Sequence, residues 1–216
     1  MNVERTTGIV LRTRPLTETS LIVQWLTPDL GRLATVAKGA RRPKSPFRGQ
    51  IDLFHLAELS FSRSRRSDLH TLREVRLLES HASLRPELAY LQQASYCAAL
   101  IEQTTETETP LPALFAQFTG LLRELPHHPA RPATLFAFEM KLLDDLGMKP
   151  DLAKTPLSAS SRQLVEKFTG EDWPALFRLR LSPVQEVEIE KFLHGFLIYH
   201  LGNLPRGRSA ALSFTC

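Results

Sequence analysis

The sequence predicts an α+β protein in which a small β-barrel comes first and an α-helical domain follows. Short apolar runs separated by turn residues fill residues 1–80, and apolar residues at helical spacing fill much of residues 81–216. The two parts also differ in charge. The first has 14 basic and 8 acidic residues, a net charge of +6, and the second has 13 and 15, a net charge of −2. This asymmetry suggests that the first part meets a polyanion.

Five apolar runs predict five strands, at residues 6–13, 20–27, 32–38, 53–61 and 69–78. Pro28, Asp29 and Gly31 predict the hairpin turn between the second and third strands. The fourth run alternates most clearly, and the fifth has Leu72 and Val75 out of phase, which predicts a β-bulge. Five short strands in so few residues suit a closed barrel, and the OB-fold is the five-stranded Greek-key version. We therefore predict an OB-fold over residues 1–80 that binds nucleic acid.

The second part predicts helices, at residues 86–101, 113–125, 132–146, 162–168 and 183–201. Pro126 and Pro129 end the second of them, and Gly147 marks the end of the third. Ser182 and Gln185 form a capping box at the start of the last, which Gly202 ends. We predict residues 81–216 to be an α-helical, partner-binding domain.

Basic residues cluster where the predicted strands end. The segment 38–48 has five cations and no acid, and further arginines follow the first strand and fill the last hairpin turn. A solvated loop is the competing interpretation of a single basic run. Three sets at the loops of one barrel favour phosphate binding on one cationic surface. The candidate DNA-binding residues are Arg12, Arg14, Lys38, Arg41, Arg42, Lys44, Arg48, Arg63, Arg65 and Arg66.

Aromatic residues are few in the first part, so binding should be mainly to the nucleic-acid backbone. Phe47 lies inside the basic loop and is either a hydrophobic plug or a stacking ring. In the second part, a groove near Phe136, Lys141 and Arg178 is a candidate partner-peptide site. Core packing is the competing interpretation of its many phenylalanines.

Sequence motifs for catalysis and metal binding are absent. No histidine pair has zinc-ligand spacing, no C-x-x-C occurs, and no nucleophile motif is present. Cys97 suits a buried small hydrophobe, and Cys216 ends the sequence. No signal peptide or membrane-spanning run is visible. We expect a cytoplasmic protein without cofactors that is not an enzyme.

Several segments resemble the bacterial RecO family of DNA repair proteins. The strongest is Lys38-Gly39-Ala40-Arg41-Arg42-Pro43-Lys44-Ser45, and Gly8-Ile9-Val10-Leu11-Arg12 resembles the family's first strand. Weaker likenesses are Leu69 to Glu74, Phe138-Glu139 and His200-Leu201-Gly202. The likeness covers essentially the whole chain.

This resemblance implies an OB-fold followed by a helical domain, and a mediator of recombination at the nucleoid. It implies binding of single- and double-stranded DNA, annealing of complementary strands, and cooperation with RecR. It also implies contact with the C-terminal tail of single-stranded DNA-binding protein (SSB), which helps RecA to load. The family's DNA contacts carry over onto Lys38, Arg41, Arg42 and Lys44.

One departure from the family concerns zinc. Many relatives have four zinc-binding cysteines where this sequence reads Leu152 to Ser158 without cysteine. We therefore expect no metal there, and packing around Leu164, Val165 and Phe168 instead. An RNA-binding or ribosome-associated OB-fold module is the main alternative, and a hydrolase with a scattered site is a remote one.

Overall fold

The computed structural model describes residues 3–213, so Cys216 lies outside the described residues. The barrel has five strands: β1 (Val3–Pro15), β2 (Leu21–Thr27), β3 (Gly31–Ala37), β4 (Leu56–Ser62) and β5 (Leu69–Glu79). They form a closed barrel in the order β1-β2-β3-β5-β4. All neighbouring pairs are antiparallel except β3 and β5. This confirms the predicted barrel followed by helices.

The barrel interior is filled by one side-chain face of each strand, because successive residues of a strand point to opposite faces. Trp25 and Phe61 are fully buried there, and the Trp25 ring nitrogen donates a hydrogen bond to the Thr35 hydroxyl at 2.9 Å. The register between β4 and β5 shifts by one residue at Arg73, so the predicted bulge in the fifth strand is confirmed. A further shift at Leu11 bends β1.

The two ends of the barrel differ in the loops they carry. At the upper end, Pro15 of β1 pairs with Leu21 of β2, which pairs with Ala37 of β3. The long β3–β4 connection, residues 38–55, leaves from this end. At the lower end, Val3 of β1 pairs with Ser62 of β4, and the β4–β5 hairpin turn follows.

Residues Thr105–Thr109, here called the strap, pack against the barrel although they follow helix α1 (Leu88–Thr104). The Glu108 amide donates to the Arg32 carbonyl at 2.8 Å, and the Arg32 side chain donates to the Thr105 hydroxyl at 2.7 Å. The chain accordingly divides into two compact units. The first contains residues up to Ala82 and Thr105–Thr119, and the second contains Ser83–Thr104 and the residues from Gly120 onward. The sequence predicts residues 105–119 as part of the helical domain, whereas the structure places them in the unit that contains the barrel.

The second unit is organised around helix α3 (Pro132–Asp145), which packs against α1 and all the later helices. Every residue from Ala133 to Leu143 is buried, as expected for a helix surrounded on all sides. The other helices are α2 (Pro112–Glu124), α4 (Ala159–Gly170), α5 (Trp173–Arg178), α6 (Pro183–Leu201) and α7 (Arg208–Leu212). The boundary between the two units falls within α2. The short helices α5 and α7 were not predicted, because five or six residues carry too little periodicity.

Two details of the second unit confirm local predictions. The capping box of Ser182 and Gln185 starts α6, and Gly202 ends it with a positive φ of 74°. Of the three residues expected to pack after the cysteine-free segment, Val165 and Phe168 are buried, whereas Leu164 is only partly buried. The same unit holds a buried polar network: Arg208 binds Glu139 through Nε at 2.7 Å and Nη2 at 3.0 Å, and the Tyr96 hydroxyl donates to Glu139 at 2.7 Å.

Candidate nucleic-acid interface

Six of the ten predicted cations surround the upper end of the barrel, and together we call them the basic cap. All six side chains are exposed. They come from the end of β1 and from the β3–β4 connection, which leave the barrel at this same end. The residues of the basic cap are Arg14, Lys38, Arg41, Arg42, Lys44 and Arg48.

Backbone contacts join the basic loop, residues 38–49, to the β1–β2 turn. The Arg41 amide donates to the Thr19 carbonyl at 3.0 Å, and the Gly39 amide donates to the Ser20 hydroxyl at 3.4 Å. The Arg41 guanidinium also reaches the Thr17 carbonyl at 3.4 Å. These contacts bring the turn that follows Arg14 against the loop, so that cations far apart in sequence share one end of the barrel.

Successive tight turns satisfy the backbone of the basic loop. The amides of Arg42, Ser45 and Arg48 each donate to the carbonyl three residues earlier, at 3.0–3.2 Å. Gly39 has a positive φ of 71°, a backbone conformation that glycine adopts without strain. The backbone of the loop is thus bonded within the loop, and its charged side chains are exposed to solvent.

The cations of the basic cap are not paired with acids in the described part of the chain. Within residues 3–213, none of its six cations forms an ion pair with a carboxylate. Glu18, in the adjacent turn, is an exposed acid of the same region. Arg12 is also exposed, two residues before Arg14 on β1, and it has interactions of its own. An exposed cationic cluster of this kind is chemically suited to neutralise the phosphates of a polyanion.

The three hairpin arginines do not join this surface, which corrects the expectation of a single cationic face. Arg63, Arg65 and Arg66 follow β4, and β4 runs antiparallel to β1. A chain that leaves β4 therefore emerges at the lower end, opposite the basic cap. Arg65 and Arg66 are exposed there.

Arg63 is held by carboxylates. Its Nε and Nη2 donate to the two oxygens of Glu4 at 2.8 and 2.9 Å, and its Nη1 donates to Glu108 of the strap. These hydrogen bonds raise the pKa of Arg63, and the pKa of Glu4 is lowered chiefly by its bond to Arg63. Glu108 also accepts a hydrogen bond from His70, which is buried and stacked on Phe61. Arg63 is thus a structural residue of the lower end, held by carboxylates of β1 and of the strap.

The aromatic rings of the barrel are enclosed. Trp25, Phe54 and Phe61 are at most 2% exposed, and Phe47 is 7% exposed and packs in the core cluster. Phe47 is therefore a plug for the loop rather than an exposed ring. The basic cap offers cations without a stacking platform for bases, which suits contact with the sugar–phosphate backbone.

The candidate partner residues of the second unit do not form an exposed groove, which corrects that expectation for two of the three. Phe136 is 1% and Lys141 5% exposed, because α3 is surrounded by helices. The Lys141 ammonium donates to the carbonyls of Thr169 and Glu171, at 3.3 and 2.7 Å, and burial lowers its pKa. It therefore caps the end of α4. Arg178 alone of the three is exposed.

Among residues 3–213, no group of three His, Cys, Asp or Glu side chains is arranged to hold a metal ion. None of the described helices combines the length and apolar character needed to cross a membrane.

Comparison with known proteins gives consistent matches. Residues 1–81 match the family model described as Recombination protein O N terminal, and residues 85–155 match Recombination protein O C terminal. The DNA repair protein RecO of Salinibacter ruber is 27% identical over 98% of this chain and 93% of its own length. RecO of a Roseiflexus species is 29% identical over 94% of this chain and 83% of its own. RecO of Bacillus subtilis is 32% identical over 67% of this chain and 56% of its own.

Proposed function

Because the chain belongs to the RecO family of DNA repair and recombination proteins, we propose that its basic cap binds the sugar–phosphate backbone of single- and double-stranded DNA. The observation that carries this proposal is the set of six exposed cations at one end of the barrel, none of which pairs with a carboxylate among residues 3–213. Arginine and lysine neutralise phosphates and release condensed counterions, which favours binding at low salt. Arginine also forks onto phosphate oxygens.

The chemistry we propose is strand annealing without a covalent step. Two complementary strands repel each other through their phosphates, and a cationic surface that contacts both lowers this repulsion. Since the barrel's aromatic rings are buried, the bases are left free to pair. Base pairing then supplies the free energy of the reaction. The chain acts as a mediator and not as an enzyme, and it uses no cofactor.

We propose further that the protein works with RecR and helps RecA to load on SSB-coated DNA. In this scheme the acidic C-terminal tail of SSB docks on the helical unit and brings the barrel to coated strands. Of the three candidate contact residues, Arg178 is exposed and is the one retained as a tail contact. A fluorescent tail peptide titrated into the full chain tests this step: Arg178→Glu should weaken binding, and unchanged binding would remove Arg178 from the interface.

Charge reversal at the basic cap tests DNA binding. The variant Arg41→Glu with Arg42→Glu should weaken binding of a single-stranded oligonucleotide. It should also lower the slope of log affinity against log salt by about 1.4, since each lost phosphate contact on a single strand accounts for about 0.7. Fluorescence anisotropy at several salt concentrations measures both quantities.

The matched control is Arg65→Glu with Arg66→Glu, which makes the same change of charge at the lower end. Only the first variant should lose substantial affinity. Equal losses in the two would show that net charge, and not the basic cap, governs binding. An RNA oligonucleotide of the same sequence, used as competitor, tests the alternative of an RNA-binding module: RNA that binds more tightly than DNA would favour it.

Annealing is measured directly with complementary strands, bare and SSB-coated. The wild-type chain should accelerate duplex formation, and the Arg41→Glu, Arg42→Glu variant should not. A variant that anneals as fast as the wild type would contradict the role assigned to the cap.

A further inference from the structure

The β3–β4 connection contains both apolar residues that pack on the barrel and exposed cations. Phe47 is buried in the barrel core, Ala40 and Ile51 are partly buried against it, and the cations lie between and beside them. Phe47 is the largest of these residues and belongs to the core cluster that contains Trp25 and Phe61. Because the loop leaves the barrel at its upper end, the Phe47 ring packs onto the barrel core from that end.

Hydrogen bonds around Phe47 fix the backbone on either side of it. Its amide donates to the Ser45 hydroxyl at 3.2 Å, and its carbonyl accepts from the Gln50 amide at 3.0 Å. The Arg48 guanidinium donates to the Pro43 carbonyl at 3.2 Å, so that the segment is closed on itself. Gln50 in turn accepts from the Leu77 amide of β5 at 2.8 Å. The ring is therefore the centre of a compact, internally bonded loop.

We infer that Phe47 is a positioning residue for DNA binding, whose buried ring holds the cations of the basic loop in place for phosphates. The inference rests on the proposed function of the basic cap. The β3–β4 connection is 18 residues long and has no strand or helix of its own. Without its anchor, such a segment samples many conformations, and binding has to order it again. A cap that is already ordered before DNA arrives avoids this cost.

The role differs from base stacking. At 7% exposure the ring presents almost no face to a base, and its contacts are with the interior of the barrel. A branched aliphatic side chain can fill much of the same space but cannot stack. Substitution by leucine therefore separates an anchoring role from a stacking role.

The test compares Phe47→Ala and Phe47→Leu in the full chain with a single-stranded oligonucleotide as probe. Phe47→Ala should bind about tenfold more weakly, whereas Phe47→Leu should stay within about twofold of the wild type. The salt slope of Phe47→Ala should match the wild type, because all six cations remain. Trypsin should cut Phe47→Ala faster within residues 38–48, which shows loosening of the loop without DNA.

Leu72→Ala is the matched control, because Leu72 belongs to the same core cluster but lies on strand β5 and not in the loop itself. Both alanine variants lose core packing, so binding is measured at a temperature where Trp25 fluorescence, in a Trp173→Phe background, shows the barrel of each to be folded. Leu72→Ala should bind DNA like the wild type and resist trypsin in the loop. A loss of affinity equal to that of Phe47→Ala would assign the effect to general destabilisation and overturn the inference.

Three other results would overturn it. They are wild-type affinity in Phe47→Ala, a Phe47→Leu that binds as weakly as Phe47→Ala, and a Phe47→Ala salt slope as low as that of the Arg41→Glu, Arg42→Glu variant. If the wild-type chain binds no DNA, the proposed function itself fails. The trypsin comparison still reports whether the ring anchors the loop, so the two failures are distinguishable.

Discussion

Removal of the Arg208 guanidinium should be among the most destabilising single changes in the helical unit. Glu139 is fully buried and accepts three hydrogen bonds, two from Arg208 and one from Tyr96. Arg208 is itself only 6% exposed and comes from α7, close to the end of the described chain. Arg208→Met keeps an unbranched apolar side chain but leaves the Glu139 carboxylate with one donor. Breaking a buried ion pair by removing one partner costs about 3–5 kcal/mol.

Urea unfolding followed by circular dichroism at 222 nm measures this loss, because most of the helices belong to the second unit. With a typical dependence of about 2 kcal/mol per molar urea, the midpoint of the helical transition should fall by about 2 M. The barrel transition, followed by Trp25 fluorescence in a Trp173→Phe background, should not move.

The double variant Glu139→Leu with Arg208→Met makes the test specific. It removes both buried charges and leaves the Tyr96 hydroxyl without its partner, at a cost of about 1–3 kcal/mol. The exposed Glu190 also loses its ion pair with Arg208, a small effect in solvent. The double variant should therefore be more stable than Arg208→Met alone. A loss below about 1 kcal/mol for Arg208→Met, or a double variant less stable than the single one, would refute the reasoning.

Two further predictions concern other contacts. Gly31→Ala should destabilise the barrel for two reasons. Gly31 has a φ of 67°, where a non-glycine residue has backbone strain of about 1–3 kcal/mol, and an added Cβ would also lie 1.9 Å from the Thr109 carbonyl oxygen of the strap. The total loss of stability should therefore exceed that of backbone strain alone. Gly49→Ala is the control, because Gly49 has a similar φ of 73° but open space around it. If unfolding followed by Trp25 fluorescence shows the same loss of stability in both variants, the clash with the strap is contradicted. Glu188 has its pKa lowered below the ordinary 4.5, chiefly by its hydrogen bond from Ser161 and also by bonds from Ser158. Its contribution to stability is therefore present above that ordinary pKa and is lost as the pH falls through the lowered pKa. Glu188→Gln should lower the melting temperature at pH 7 but not at pH 2, and an equal deficit at both would contradict it.

Local features of this fold were accessible from the sequence because each depends on neighbouring residues. Alternation of apolar residues located the strands, and the phase error at Leu72 and Val75 located the bulge at Arg73. The capping box at Ser182 likewise followed from spacing alone. The barrel could therefore be predicted in outline before any long-range contact was known.

The errors concern placement in three dimensions. Arg63 is as basic as Arg41 in sequence, but the direction of β4 carries it to the other end of the barrel, where Glu4 and Glu108 hold it. Tracing the up or down direction of each predicted strand would have placed Arg63 and Arg41 at opposite ends of the barrel. Nothing in the sequence indicates that Glu108 contacts the barrel, because a polar segment that follows a helix is typical of an ordinary connection. Phe136 and Lys141 lie on helix α3, which is buried on every side. The apolar spacing in its sequence predicted burial of one face only.

The strap affects how the barrel is completed during translation. Residues 105–109 close the lower end, yet α1 precedes them in the chain. The nascent barrel therefore lacks Glu108, the partner of Arg63 and His70, until α1 has been made. A fragment that stops at residue 80 would always lack Glu108, so Arg63 and His70 would have no partner from the strap. A recombinant version of the barrel would need the strap supplied, for example by joining residues 105–119 through a designed linker.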